Sequence, residues 1–187
     1  MNPIETTHDP SVRDGLAREL EAMFGEVRDL MNGVDDAAAD HVMGTTWPIR
    51  RQMHHLTKSV GPVVLGLRLP KWALRLLFGA NDGPVRSMDE LIAAYDAAMG
   101  PSPQAPRAYV PSKTARLERM NRQWTALEAG LMRSLNTWTD AELDRLRLPH
   151  PTIGRIPARE ILLFTLYHTR VHLRRMHDIL DHHGTTH

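Results

Sequence analysis

The chain has 187 residues, a length that suits one domain with a full-sized core. Its 23 basic and 22 acidic side chains nearly cancel, so no broad positive field is available to hold nucleic acid. There is no cysteine, which excludes disulfides, thiolate metal sites and a cysteine nucleophile. No apolar run is long enough to span a bilayer, and Met1–Pro10 has no apolar signal-peptide segment. The expectation is a cytoplasmic chain folded as a single domain over residues 1–187, with 1–10 and 181–187 as flexible tails.

The spacing predicts a first helix from about Ser11 to Met31, where Leu16, Leu20, Met23, Phe24, Val27 and Leu30 recur three and four apart. Asn32-Gly33 supplies its stop, and Asp35 to Asp40 is an acidic connector. A second helix starts near Trp47-Pro48, with Ile49, Met53, Leu56, Val60, Val63, Val64 and Leu67 as its stripe. Gly61-Pro62 lies inside it and should kink or split it. His54 and His55 sit in its first half on opposite flanks of the stripe, and periodicity does not choose between them.

Pro70 ends that segment, and Lys71 to Phe78 reads as a short amphipathic helix closed by Gly79. Asn81 to Pro84 is a turn, and the capping box Ser87-Met-Asp-Glu90 opens a helix to about Met99. Gly100 to Pro111, with four prolines, is a loop and part of a lid over one end of the domain. Ser112 is the expected cap of a third long helix, whose stripe is Leu117, Met120, Trp124, Leu127, Leu131 and Leu135. Thr139 to Glu142 is a second capping box, Pro149-His-Pro151 breaks the turn it starts, and a last long helix follows with Pro157 in its first turn. No strand-like alternation of useful length and no repeat appears. The expected class is all-α, a bundle of four long helices with short extra helices between the second and third.

The last helix carries His168 and His172, four apart and therefore on one face. Ile161, Phe164, Thr165 and Ile179 fall on or beside that face, so the rings point toward the core, where each must be satisfied. They are either hydrogen-bonded core histidines or half of a divalent-metal site. The chain has eleven histidines, and roughly 0.6 pairs at this spacing arise by chance, so the spacing alone decides nothing. The other such pair, His183 and His187, lies in the polar tail and reads as noise. A third ligand has to come from another helix, and His54 or His55 is the candidate. Three neutral imidazoles leave one coordination position open. Thr-Arg-Val between His168 and His172 excludes an H-E-x-x-H protease helix, and there is no G-x-S-x-G or Gly-rich phosphate loop.

Three stretches occur in order: Trp47-Pro-Ile-Arg-Arg-Gln-Met-His-His55-Leu56, then Ile153-Gly-Arg-Ile-Pro-Ala-Arg-Glu160, then His168-Thr-Arg-Val-His172. Their combination resembles the DinB/YfiT-like family, and the four-long-helix layout extends the resemblance over nearly the whole chain. The resemblance implies an up-down-down-up four-helix bundle with a metal centre at one end. Its ligands would be His55, His168 and His172, with His54 as the neighbour, and its ion nickel, zinc or another divalent metal. It also implies a homodimer acting on a small molecule, by metal-dependent hydrolysis or by transfer of a low-molecular-weight thiol, without nucleic-acid or membrane partners. Other readings are a non-catalytic dimeric bundle and a small-molecule-binding stress protein whose metal site is structural or vestigial. No catalytic residue is assigned.

Several further residues have two readings each. Glu160 either supports the site or stabilises the N-terminal end of its helix. Trp124 and Tyr167 either line a pocket or fill the core. Arg170, Arg174 and Arg175 form a solvated face from which one could meet an anionic ligand. His177, His182 and His183 read as surface residues.

Overall fold

In the computed structural model, residues 12–100 and 105–184 are described. The elements are α1 (Val12–Asn32), α2 (Asp36–Asp40), α3 (Ile49–Arg68), α4 (Lys71–Phe78), α5 (Met88–Met99), a 3-10 turn at Arg107–Tyr109, α6 (Leu117–Leu135), α7 (Asp140–Arg145), β1 (Arg147–His150), β2 (Gly154–Pro157) and α8 (Ala158–Gly184). The four long helices touch in the cyclic order α1, α6, α3, α8.

Polar contacts fix their directions. The Arg13 amide donates to Asp140 Oδ1 at 2.7 Å, which sets the start of α1 at the end of α6. Arg50 Nη1 donates to the Ala115 carbonyl at 3.0 Å, which brings the starts of α3 and α6 together. Asp140 Oδ1 also lies 3.9 Å from Arg159 at the start of α8, and Arg170 further along α8 reaches Glu19 of α1 at 3.4 Å, so α1 and α8 run parallel. The topology is up-down-down-up. Parallel α3 and α6 cannot be joined by a tight turn. The chain must travel back about 30 Å, the length of a twenty-residue helix, before α6 can start. The segment holding α4, α5 and the 3-10 turn makes that return along α8 and α3, where Arg86 meets Glu160, Tyr95 meets Phe164 and Tyr109 meets His55.

Apolar stripes meet inside. Phe24 and Trp124 are buried with ring centroids 4.5 Å apart. Buried indoles need a partner for N–H. Trp124 Nε1 donates to the Phe24 carbonyl at 3.1 Å, and Trp138 Nε1 donates to the Leu67 carbonyl at 3.0 Å. Leu67 lies in the last turn of α3, where carbonyls have no helical donor. The acidic connector also finds a partner: buried Arg50 pairs with Asp36 and Asp40 of α2, at 2.6 Å each.

Four local expectations are corrected. α3 runs through Pro62 without interruption. Pro62 is on the exposed side, where water can meet the carbonyl that loses its donor. α6 starts at Leu117 with Arg116 at its N-cap, not at Ser112. The Ser112 hydroxyl instead accepts from the Thr114 amide at 3.2 Å, a local turn that competes with helix. The segment read as irregular is an antiparallel hairpin pairing Leu148 with Ile156 and His150 with Gly154. Its prolines hid the alternation, and Pro157 closes β2 one residue before α8. Finally, α8 continues to Gly184, so 181–184 are helical; residues 1–11 and 185–187 lie outside the described residues. Among the described residues no helix is long and apolar enough to cross a membrane.

Candidate metal centre

α3 and α8 run antiparallel side by side, and each turns polar residues toward the other. On α3, Gln52 and His55 are three apart and share a face; on α8, His168 and His172 are four apart. His55 Nε2 lies 3.2 Å from His168 Nε2, and His172 Nε2 lies 3.2 Å from the same atom. All three ligand atoms fall within 4.8 Å of one another. A tetrahedral ion bound at about 2.0–2.1 Å separates its ligand nitrogens by about 3.3 Å, so the trio fits a divalent metal.

The outer nitrogens set the tautomers. His55 Nδ1 donates to the Tyr109 carbonyl at 2.8 Å, because a carbonyl can only accept. Gln52 Nε2 donates to the Trp47 carbonyl at 2.9 Å, which orients the amide and leaves Oε1 to accept from His172 Nδ1 at 2.9 Å. Both rings are therefore protonated on Nδ1 and turn Nε2 lone pairs toward His168. His168 is stacked on Phe164 at 5.5 Å between centroids and 15° between planes. Trp47 meets His55 edge-on at 5.4 Å. Burial lowers the pKa of all three imidazoles; for His168 and His172 the neighbouring imidazoles and Arg175 push the same way. Neutral rings are the form that ligates a metal.

The trio opens into a cavity of about 1220 Å³ lined by Trp47, Tyr95, Tyr109, His150, Phe164, Tyr167 and Arg175, among others. Of the proline-rich loop, Gly100, Ala105, Pro106, Tyr109 and Val110 line it, as expected of a lid. Besides the Tyr109 contact, Lys58 Nζ donates to the Val110 carbonyl at 2.9 Å, and the Ser112 amide donates to His54 Nδ1 at 2.8 Å. Residues 101–104 of that loop lie outside the described residues.

The structure brings together His55, His168 and His172 and leaves His54 on the flank holding the loop. Glu160 does not reach the rings. It is 1% exposed and accepts from the Arg86 amide at 2.8 Å and from Arg86 Nε and Nη2 at 3.0 and 2.6 Å, fastening the segment before α5 to α8. Trp124 is core, whereas Tyr167 and Arg175 line the cavity. Arg174, His177 and His182 are exposed, His183 is partly so, and His187 lies outside the described residues. Sequence reading missed Gln52, which sits one turn before His55 and could have been found from that spacing. It also missed His150 and the Tyr109 carbonyl, whose positions depend on the hairpin and the loop.

A helical bundle in which two antiparallel helices bury three converging imidazoles defines a class with a potential three-His metal site. The chain belongs to the DinB superfamily, whose sequence pattern matches residues 19–176. Among solved structures it is similar to YfiT from Bacillus subtilis, described as "a probable metal-dependent hydrolase with an unusual four-helix bundle topology". The two share 19% identity with a TM-score of 0.63, over 98% of this chain and 94% of that one. Comparison with curated protein sequences yields no match.

Proposed function

We propose that this chain is a metal-dependent enzyme in which His55, His168 and His172 hold a divalent ion, nickel, zinc or a similar one, through their Nε2 atoms. The observation that carries the proposal is the pair of tautomers fixed by Tyr109 and Gln52, which leave lone pairs on two Nε2 atoms that each lie 3.2 Å from His168 Nε2. A divalent ion there acts as a Lewis acid and lowers the pKa of a water or thiol beside it. The residues around it orient the ligands, and the loop and aromatic walls limit access of bulk water.

Among the described residues no carboxylate joins the histidine cluster, and Glu160 is fully engaged by Arg86. Asp96, the only acidic side chain lining the cavity, is exposed and stands outside the cluster, so among the described residues no carboxylate is set beside the three imidazoles as a base for hydrolysis. This favours a low-molecular-weight thiol as the nucleophile, since a thiol pKa of about 8.5 needs a smaller shift than that of water. Hydrolysis is the second reading, and the description of the Bacillus subtilis neighbour favours it.

Elemental analysis of protein purified without a histidine tag tests the centre. The expected result is stoichiometric metal, lost in His168→Ala while the helical circular dichroism is retained. Metal-free protein whose melting temperature is the same in His168→Ala would end this reading. Product formation from a thiol and an electrophile panel, set against ester and amide hydrolysis, distinguishes the two reactions.

A further inference from the structure

The cavity presents hydrogen-bond donors that the metal centre does not use. His150 closes β1 and lines the cavity wall at 8% exposure. Its Nδ1 accepts from the backbone amides of Thr152 and Ile153, each at 3.2 Å. With that lone pair engaged, the neutral ring carries its proton on Nε2. Burial pushes its pKa down to about 4, so the neutral form prevails at pH 7. Among the described residues nothing accepts from Nε2.

Tyr95 of α5 stands against His150, ring centroids 6.0 Å apart and perpendicular, and against Phe164 at 4.8 Å. Its phenol is half-buried, and among the described residues it has no hydrogen-bond partner. Arg175 lies three residues after His172, on the same face of α8, and lines the same cavity. Arg175, Tyr95 and His150 all line this one cavity, and burial, followed by the charges of Tyr167 and Asp96, raises the pKa of the Tyr95 phenol, so it stays protonated at pH 7. Arg175 forms no ion pair or hydrogen bond among the described residues and is the only cation in the lining. Asp96 is the only acidic side chain in that lining, and it and Arg175 both stand at the exposed mouth of the cavity.

An imidazole N–H, a phenol and a guanidinium beside an aromatic wall match a planar anion joined to an apolar body. We infer that the cavity takes a small molecule bearing a carboxylate, held by Arg175, Tyr95 and His150 with its hydrocarbon part on Phe164 and Tyr167. Its reacting end then faces His55, His168 and His172, and only this last clause rests on the proposed metal centre. The carboxylate subsite belongs to the protein itself and exists with or without the ion.

Calorimetric titration with 4-phenylbutyrate and with its uncharged amide tests this, using tagless protein both as purified and after chelation. The acid is expected to bind about tenfold more tightly than the amide in both states, as charge-assisted bonds require. Arg175→Gln and Tyr95→Phe should each reduce that preference to less than about threefold, with metal content unchanged. A preference that disappears on chelation would mean the carboxylate ligates the ion, and it overturns the inference. So do equal binding of acid and amide, no measurable binding of either, and a preference that survives both substitutions. Metal-free purified protein would sink the proposed function yet leave the acid-against-amide comparison intact.

Discussion

The two helix pairs of this bundle are built from different materials. α1 buries Leu16, Leu20, Met23, Phe24, Val27, Leu30 and Met31, all apolar. Its partner α6 adds Met120, Trp124, Leu131 and Leu135, with Ser134 as the buried polar exception, its hydroxyl donating to the Gly130 carbonyl of its own helix at 2.8 Å. α3 and α8 bury comparable apolar stripes, from Ile49 to Leu67 and from Ile161 to Ile179, and add Arg50, Gln52, His55 and Thr57 on one side and Glu160, Thr165, Thr169 and His172 on the other. A buried polar group costs stability unless it is paired. All four helices share one apolar core, and only α3 and α8 load it with paired polar groups, at the expense of part of that hydrophobic stabilisation. The contrast is between a pair that is apolar but for Ser134, α1 and α6, and a pair, α3 and α8, whose core face also orients the site.

The largest expected effect lies in the apolar half. Trp124→Ala removes a buried indole tilted against Phe24 and should cost about 4 kcal/mol in urea unfolding. Metal content per folded chain should stay the same. Loss of metal from folded Trp124→Ala protein would show that the two halves are not separable.

Next comes pH, which strikes the polar half. His150 has its pKa lowered from 6.5 to about 4, and burial lowers His168 and His172 as well. The unfolded chain then binds more protons than the folded one below pH 6.5. Stability from these rings is fully present above that pH and falls away as the pH drops toward 4. In chelated protein, His150 alone should lose about 2 kcal/mol between pH 7.5 and 5. The buried pair adds to that loss in the same direction. Trp124→Ala should shift the whole curve downward without changing its slope. A curve flat from pH 7.5 to 5 would show that these rings titrate as exposed ones do.

The same contrast explains what was legible in the sequence. The stripes of α1 and α6 were readable because apolar periodicity reports burial directly, from Leu16 to Leu30 and from Leu117 to Leu135. The histidine pair on α8 was readable as a pair and uninterpretable alone. Its meaning needed a third ring, and near-equal flanking positions of His54 and His55 hid which one. Direction decides it: His55 turns toward α8, while His54 accepts from Ser112. The hairpin was lost because Pro149 read as a breaker and Pro157 as the first turn of the last helix, although short paired strands tolerate proline where no ladder donor is needed. Tyr109 was out of reach because the group that matters is a backbone carbonyl, which every residue carries.

A smaller effect sharpens the role of the polar half. Gln52→Leu keeps the size of the side chain and removes the acceptor for His172 Nδ1. The fold should persist, and metal affinity should drop by about tenfold to a hundredfold, read by competition with a chelating dye. Unchanged affinity would mean that Gln52 merely fills space.

The smallest effect is expected at the seam between the halves, where Arg170 of α8 meets Glu19 of α1 at 3.4 Å. The two side chains are 47% and 57% exposed, so water and salt screen the pair, and fixing two long side chains offsets much of the attraction. Arg170→Ala should cost less than about 1 kcal/mol, and the cost should shrink further in high salt. Metal content should not respond, because Arg170 faces α1 while His168 and His172 face α3. A loss of about 2 kcal/mol or more would place this seam among the buried, weakly screened contacts. The stability of the bundle would then depend on a charged contact across the two pairs, and the division between an apolar support and a polar site would have to be redrawn at α8.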